Sequence, residues 1–200
     1  MILLVLTVPH EDRQVLDFMS APENCGGLCL LGIQPGKSRV GSARQMLESH
    51  SWVNDVRLDA AGNGYATMSW GWNGHQPAAI DPNKRGHITF FWVDEDVIPL
   101  EDAAVETVTV YTTLHHYSLY KWLGKTDGGT ASFRPDGKLG YSLIYDIQGG
   151  ILNLYIETSC PFDLIHYWNT QTRITLSVGH SNTGFIPPTQ LARFCKFSRS

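Results

Sequence analysis

The chain has few charges and no long apolar stretch, and each shortage removes a class of protein. Only 17% of its 200 residues are Asp, Glu, Lys or Arg. Its 15 Lys and Arg are scattered, not gathered into a stripe, so the footprint of nucleic-acid binding is missing. The longest apolar run, Met1 to Val8, is far too short to span a bilayer. It also lacks the basic start and small-residue cleavage site of a secretory signal. It reads as an N-terminal strand or core segment, or as the remnant of an export signal or anchor.

Motifs that carry chemistry are also missing. Gly32-Ile33-Gln34-Pro35-Gly36-Lys37-Ser38 resembles a phosphate loop, but that loop needs one more residue between its glycines. Pro35 also removes a backbone N–H that such a loop would point at phosphate. Gly179 to Gly184 suggests a nucleophile elbow with its second glycine one residue late. Asp94-Glu95-Asp96, with Glu101 and Asp102 nearby, lacks the alternating ligands and the glycine of a calcium loop, and reads as a solvated connection. His115 and His116 are neighbours on an expected helix and point about 100° apart, so they do not share a metal. No catalytic, cofactor-binding or metal-binding residue is assigned.

What is present is enough for a sizeable core. Hydrophobic residues make up 42%, with six Trp, eight Tyr and eight Phe, and the net charge is −4. Length and composition suit one globular domain or two small ones. The four cysteines include one close pair, Cys25 and Cys29; Cys160 and Cys195 stand alone. The most economical pairing is Cys25–Cys29 with Cys160–Cys195, which implies an oxidising compartment. Free buried thiols and a zinc site are the other readings.

The pattern of elements repeats. Glu11 to Met19 reads as a short helix. Ser38 is placed to cap a helix from Arg39 to Ser49, with Val40, Ala43, Met46 and Leu47 at helical spacing. Strand patterns follow at Trp52–Asp59, Gly64–Trp72, His87–Val93 and Val105–Tyr111. Thr113 is placed to cap a second helix, Leu114–Leu123, which Gly124 ends. Four more strands fit Thr130–Arg134, Leu139–Asp146, Ile151–Glu157 and Thr172–Val178. Asn73–Gly86 and Cys160–Gln171 are the longer connections, and Thr189–Phe194 is a short terminal helix. The two series lie about 75 residues apart, the length of a small duplicated domain.

Alternating strands such as Val105 to Val110 predict antiparallel sheets with one buried face and helices on one side. The predicted fold class is α+β: two tandem units, each a short helix on an antiparallel sheet of about four strands. The predicted organisation is an N-terminal segment 1–35, units 36–111 and 112–179, and a tail 180–200. Tyr65, Trp70, Trp72, Phe90, Phe91 and Trp92 lie on the first sheet; Tyr141, Tyr145 and Tyr155 lie on the second. Of these, Tyr65, Trp70, Trp72, Trp92, Tyr141 and Tyr145 are the candidates for an aromatic face that binds a partner.

Cys29-Leu30-Leu31-Gly32-Ile33-Gln34-Pro35-Gly36, a helix, and Leu47-Glu48-Ser49-His50-Ser51-Trp52-Val53 together carry a resemblance. They resemble a pattern in uncharacterised bacterial envelope proteins, where Pro stands in place of Ser51 and a second helix ends in Leu-Gly, as Leu123-Gly124 does. The tandem layout is more distantly similar to the β-lactamase inhibitory protein and to small outer-membrane assembly lipoproteins. Here Lys125-Thr126 replaces the usual Pro after Leu-Gly. The resemblance implies a binding protein outside the cytoplasm or at a membrane, with a protein or other envelope component as partner. The expected function is therefore non-enzymatic binding or a structural role in the envelope. The alternative is a hydrolase-type enzyme with its site in a groove between the two sheets.

Overall fold

The computed structural model describes residues 25, 29–60, 64–91, 99–147, 150–179, 186–187, 190–191 and 195. The expected helix Glu11–Met19, the apolar run Met1–Val8, Trp92, the Asp94–Asp96 cluster and the glycine-rich segment after Gly179 lie outside them. The described chain is α+β. In chain order its elements are α1 (Val40–Ser49), β1 (Val53–Ala60), β2 (Tyr65–Trp72), β3 (Gly86–Phe91) and a short 3-10 turn (Leu100–Asp102). Then follow β4 (Val105–His115), α2 (His116–Leu123), β5 (Gly128–Phe133), β6 (Leu139–Ile147), β7 (Gly150–Thr158), α3 (Leu164–Asn169) and β8 (Gln171–Val178).

All eight strands join one antiparallel sheet in the order β1-β2-β3-β4-β8-β7-β6-β5. The sequence leads to two separate sheets of about four strands. The structure instead hydrogen-bonds the last strand of one series to the last strand of the other, with Val108 opposite Leu176 and Val110 opposite Ile174. The physical reason is that both strands are apolar on one face, and pairing them joins Val108, Val110, Ile174 and Leu176 into one continuous buried strip. Thr109 and Thr175 meet directly across this seam, with their hydroxyls 3.0 Å apart.

The helices share one side. Val40, Ala43 and Leu47 of α1, Leu119 of α2 and Tyr167 of α3 belong to the same core as Ile88, Val108 and Leu154 of the sheet. Alternation explains the choice of face. In β2 the buried set is Ala66, Met68, Trp70 and Trp72; Tyr65, Thr67, Ser69 and Gly71 take the other face. In β3 a Cβ on Gly86 would collide with the Trp70 indole, so this glycine makes the slot that the ring fills.

Three local expectations change. α1 begins at Val40 after Arg39, and Ser38 instead accepts the Gln34 N–H in the preceding turn (2.9 Å). Arg39 holds the N-cap position, and Ser42 at the third helical position accepts the Arg39 N–H at 3.2 Å. β4 continues to His115, because Thr112 and Leu114 extend the buried alternation; α2 therefore starts at His116, and Thr113 donates to Ala78 O instead of capping it. α3 forms inside the segment expected as a connection. It is only six residues long, too short for a period to be visible. Its signal is Asp163, whose carboxylate accepts the Ile165 N–H at 2.9 Å.

The chain ends of this fold are pinned. Cys160 and Cys195 sit at disulfide distance with Cα atoms 5.4 Å apart, as do Cys25 and Cys29 at 6.4 Å. Cys195 and Leu191 are buried in the core, and the Tyr141 hydroxyl donates to Ile186 O at 2.5 Å. The Cys160–Cys195 link closes a loop of 35 residues, which in the chain-entropy account contributes about 3–4 kcal/mol. The double variant Cys160→Ala/Cys195→Ala is expected to lose stability of that order in urea denaturation. Unchanged stability would show that the tail is held by packing alone.

Candidate functional site

The sheet face opposite the helices is covered by no helix or strand among the described residues. Alternation places Thr67, Ser69, His87, Thr89, Thr107, Thr109, Tyr111, Arg173, Thr175, Ser177, Asn153 and Tyr155 on it. All of these are partly exposed except Thr109, which lies beneath its neighbours. Hydroxyls pair across the strands, with Thr89 and Thr107 2.7 Å apart and Thr109 and Thr175 3.0 Å apart. These bonds satisfy the threonines locally; elsewhere on the face Arg85 Nε donates to Ser69 Oγ at 3.2 Å, and Asn153 Oδ1 and Arg173 Nε are buried with no partner among the described residues.

Rings sit at two places on this face. Tyr65 and Phe91 form an edge-to-face pair, 5.3 Å between centroids, at one end. Both are about half exposed, and Phe91 closes over Gly64, whose positive φ leaves no room for a side chain. Towards the other end, Tyr155 lies over Gly140, and the Arg173 guanidinium stacks on the Tyr155 ring at 4.1 Å. His87 and Tyr111 stand beside this stack, 6.3 Å apart. The His87 pKa lies below its ordinary value, first through burial and then through the nearby Arg173 charge.

The residues expected to form an aromatic binding face divide sharply. Trp70, Trp72, Tyr141 and Tyr145 are buried, at 9% exposure or less, and point into the core under the helices. Trp72 Nε1 donates to Lys84 O at 2.8 Å, and burial raises the Tyr141 and Tyr145 hydroxyl pKa values. These four rings stabilise the fold and offer nothing to a partner. Of the six, Tyr65 alone among the described residues is exposed on the open face, and Trp92 lies outside them. Sequence reasoning misses Arg173, Tyr111 and His87 as surface groups. Their signal is parity: each alternates with a core residue of its own strand.

An open pocket of about 660 Å³ indents this face where β4, β7 and β8 meet the end of α3 and the connections that carry Asp81 and Lys84, and Arg134 and Lys138. Glu157 is held there by Arg134 at 2.6 Å and Lys138 at 3.8 Å. Asp81 N–H donates to Tyr111 O, which brings the β2–β3 connection against the end of β4. The groove expected between two sheets is replaced by the hydrogen-bonded β4–β8 seam. Among the described residues no group of three His, Cys, Asp or Glu is placed to hold a metal, and no helix is long and apolar enough to cross a membrane.

Comparison with protein-family models, with curated proteins and with solved structures finds no match.

One titratable group lies under the sheet. His116, fully buried at the start of α2, has a pKa pushed down to about 4 by burial. Its Nε2 is 3.1 Å from the Tyr167 hydroxyl and its ring stacks on Trp168. The neutral form is therefore the folded form. Unfolding lets the ring return to an ordinary pKa near 6.5, so between pH 6.5 and 4 the unfolded state binds the extra proton. Stability from this group is complete above the unfolded value and falls by about 3 kcal/mol as pH drops through that window. The expected result is a steeper acid loss of stability in the native chain than in His116→Gln, by that amount between pH 7 and 4. Parallel pH profiles of the two proteins would contradict it.

Proposed function

We propose that this chain is a non-enzymatic binding protein of the bacterial cell envelope that holds a protein partner on its open sheet face. The observation that carries the reading is the one-sided sheet: helices and core on one face, a broad hydroxyl-and-ring surface on the other. Eight strands at ~4.8 Å spacing and ~3.3 Å per residue give a platform of roughly 1,000 Å². That is large enough for the ~800 Å² each partner contributes to a standard protein interface. Tyr, Ser, Thr and Asn are residue types that recognition surfaces use, because rings supply area at low entropy cost and hydroxyls adapt their hydrogen bonds.

The compartment follows from two supports. Two cysteine pairs at disulfide distance are compatible with an oxidising setting. The resemblance to envelope proteins points the same way. The mirrored strand order, each half running inward to β4 or β8, favours an origin as two tandem units, 36–111 and 112–179.

The test is site-specific photo-crosslinking in envelope extracts. A crosslinker at Thr67 or Ser177, on the open face, is expected to trap one defined protein. The same group at Gln45, on the exposed side of α1, is expected to trap none. Ser177→Arg should reduce capture from Thr67 by tenfold or more while leaving the far-ultraviolet spectrum unchanged. Equal capture from both faces would sink the reading.

A further inference from the structure

The pocket at the β4–β8–β7 end of the open face carries more positive charge than its surroundings. Its lining holds Lys84, Arg134, Lys138 and Arg173 against the carboxylates of Asp81 and Glu157, an excess of two positive charges in a chain whose net charge is −4. Arg134 and Lys138 are already engaged with Glu157 and Asp136. Lys84 and Arg173 have no carboxylate within ion-pair distance among the described residues.

Arg173 is the better placed of the two. Its Cζ lies over the Tyr155 ring, 4.1 Å from the centroid, which restrains the guanidinium. Its Nε is buried and has no hydrogen-bond acceptor among the described residues. The two Nη groups of a guanidinium restrained in this way can give two hydrogen bonds to one carboxylate. Lys84 stands on the lining as a second, movable cation. Asp81 and Glu157 on the same lining disfavour a doubly charged phosphate and leave room for a single negative charge.

We propose that this pocket receives the carboxylate of an Asp or Glu side chain projecting from the protein partner, with Arg173 as its anchor and Lys84 as its second contact. The proposal rests on the open-face reading, because Tyr111, Tyr155 and Arg173 belong both to the face and to the pocket. It names what that reading leaves open, the chemistry of the partner's central contact.

The experiment titrates the full chain with acetyl-Gly-Glu-Gly-amide and follows the Arg173 Nε–H resonance by NMR. Saturable millimolar binding is expected, with the resonance shifting as the carboxylate pairs with the Nη groups of the same guanidinium. Acetyl-Gly-Gln-Gly-amide should bind about tenfold more weakly, since a neutral acceptor loses the charge assistance. Arg173→Gln should weaken the Glu peptide by about the same factor. Lys84→Gln, on a connection outside the strands, should weaken it in the same direction by less, and it provides the test should Arg173→Gln not fold. Equal binding of the Glu and Gln peptides, tighter binding of inorganic phosphate than of the Glu peptide, or no saturable shift would each overturn the proposal. Crosslinking from Thr67 separates the two readings. Capture that persists at full yield in Arg173→Gln overturns the carboxylate contact and leaves the face standing; absence of capture in the native chain removes the face itself.

Discussion

The β4–β8 pairing is the constraint on which the rest of the structure depends. It joins strands more than 60 residues apart, Thr109 to Thr175, and turns two half-sheets into one. Val108, Val110, Ile174 and Leu176 are buried at the seam, and the Thr112 hydroxyl donates to Thr172 O at 2.6 Å in the same dry environment. Without this contact both inner strands become open edges, each a row of unpaired backbone groups beside apolar side chains. The energetic logic is cooperative. The entropy of closing so long a loop is met once, by a whole ladder of bonds and a continuous core, not by any single contact.

The seam also decides which face of the sheet is left open. A core that runs unbroken beneath all eight strands needs helices on that side only, and α1, α2 and α3 supply them. Their short lengths are sufficient because each contributes one or two large anchors. Tyr167 touches Tyr141, His116 and Phe162 with ring centroids 5.0–5.7 Å apart. A shared aromatic cluster of this kind holds α2 and α3 against β6 and leaves the opposite face free of structural duty. The cross-strand hydroxyl pairs there contribute locally, by roughly 0.2–1 kcal/mol each, beside the Tyr65–Phe91 and Arg173–Tyr155 contacts.

Much of this is legible in the chain because alternation and turn chemistry are local. The strands beginning near Val53, Tyr65, Gly86, Leu139, Gly150 and Gln171 follow from period-two patterns bounded by Gly, Pro and Asn. The cysteine pairs at disulfide distance are those that spacing favours as the most economical, one of three pairings that four cysteines allow. What is not legible is long-range. That β4 and β8 become neighbours depends on partners far apart in sequence, and no local pattern states it. The fate of the rings is an intermediate case. Trp70 and Trp72 stand in phase with Ala66 and Met68, and Tyr141 and Tyr145 in phase with Leu139 and Leu143. Parity within one strand assigns all four to the core once the apolar phase is taken as the buried one. The error of treating ring count as surface character arises from reading residue type before phase. Tyr65 and Tyr155 stand in the opposite phase, beside Thr67 and Asn153, and the same rule puts them outside.

Arg173 is where local consistency breaks. Its strand reads Thr172, Ile174, Leu176 on one face and Arg173, Thr175, Ser177 on the other, and a small hydroxyl residue would complete the outer set with every polar group satisfied. The guanidinium instead buries Nε without an acceptor, a cost of about 1–3 kcal/mol for an unsatisfied polar atom, more where the group is charged. Stacking on Tyr155 offsets part of this, at about 0.5–2 kcal/mol. Gly140 is required for the stack, because a Cβ there would press on the Tyr155 hydroxyl at 2.5 Å. Three residues on three neighbouring strands are thus arranged to hold one cation still, at no gain to the core. Such a departure from local consistency, supported from two other strands, is what a site shaped by something besides folding shows. On this face a restrained cation is suited to meet an anion that the described residues do not supply.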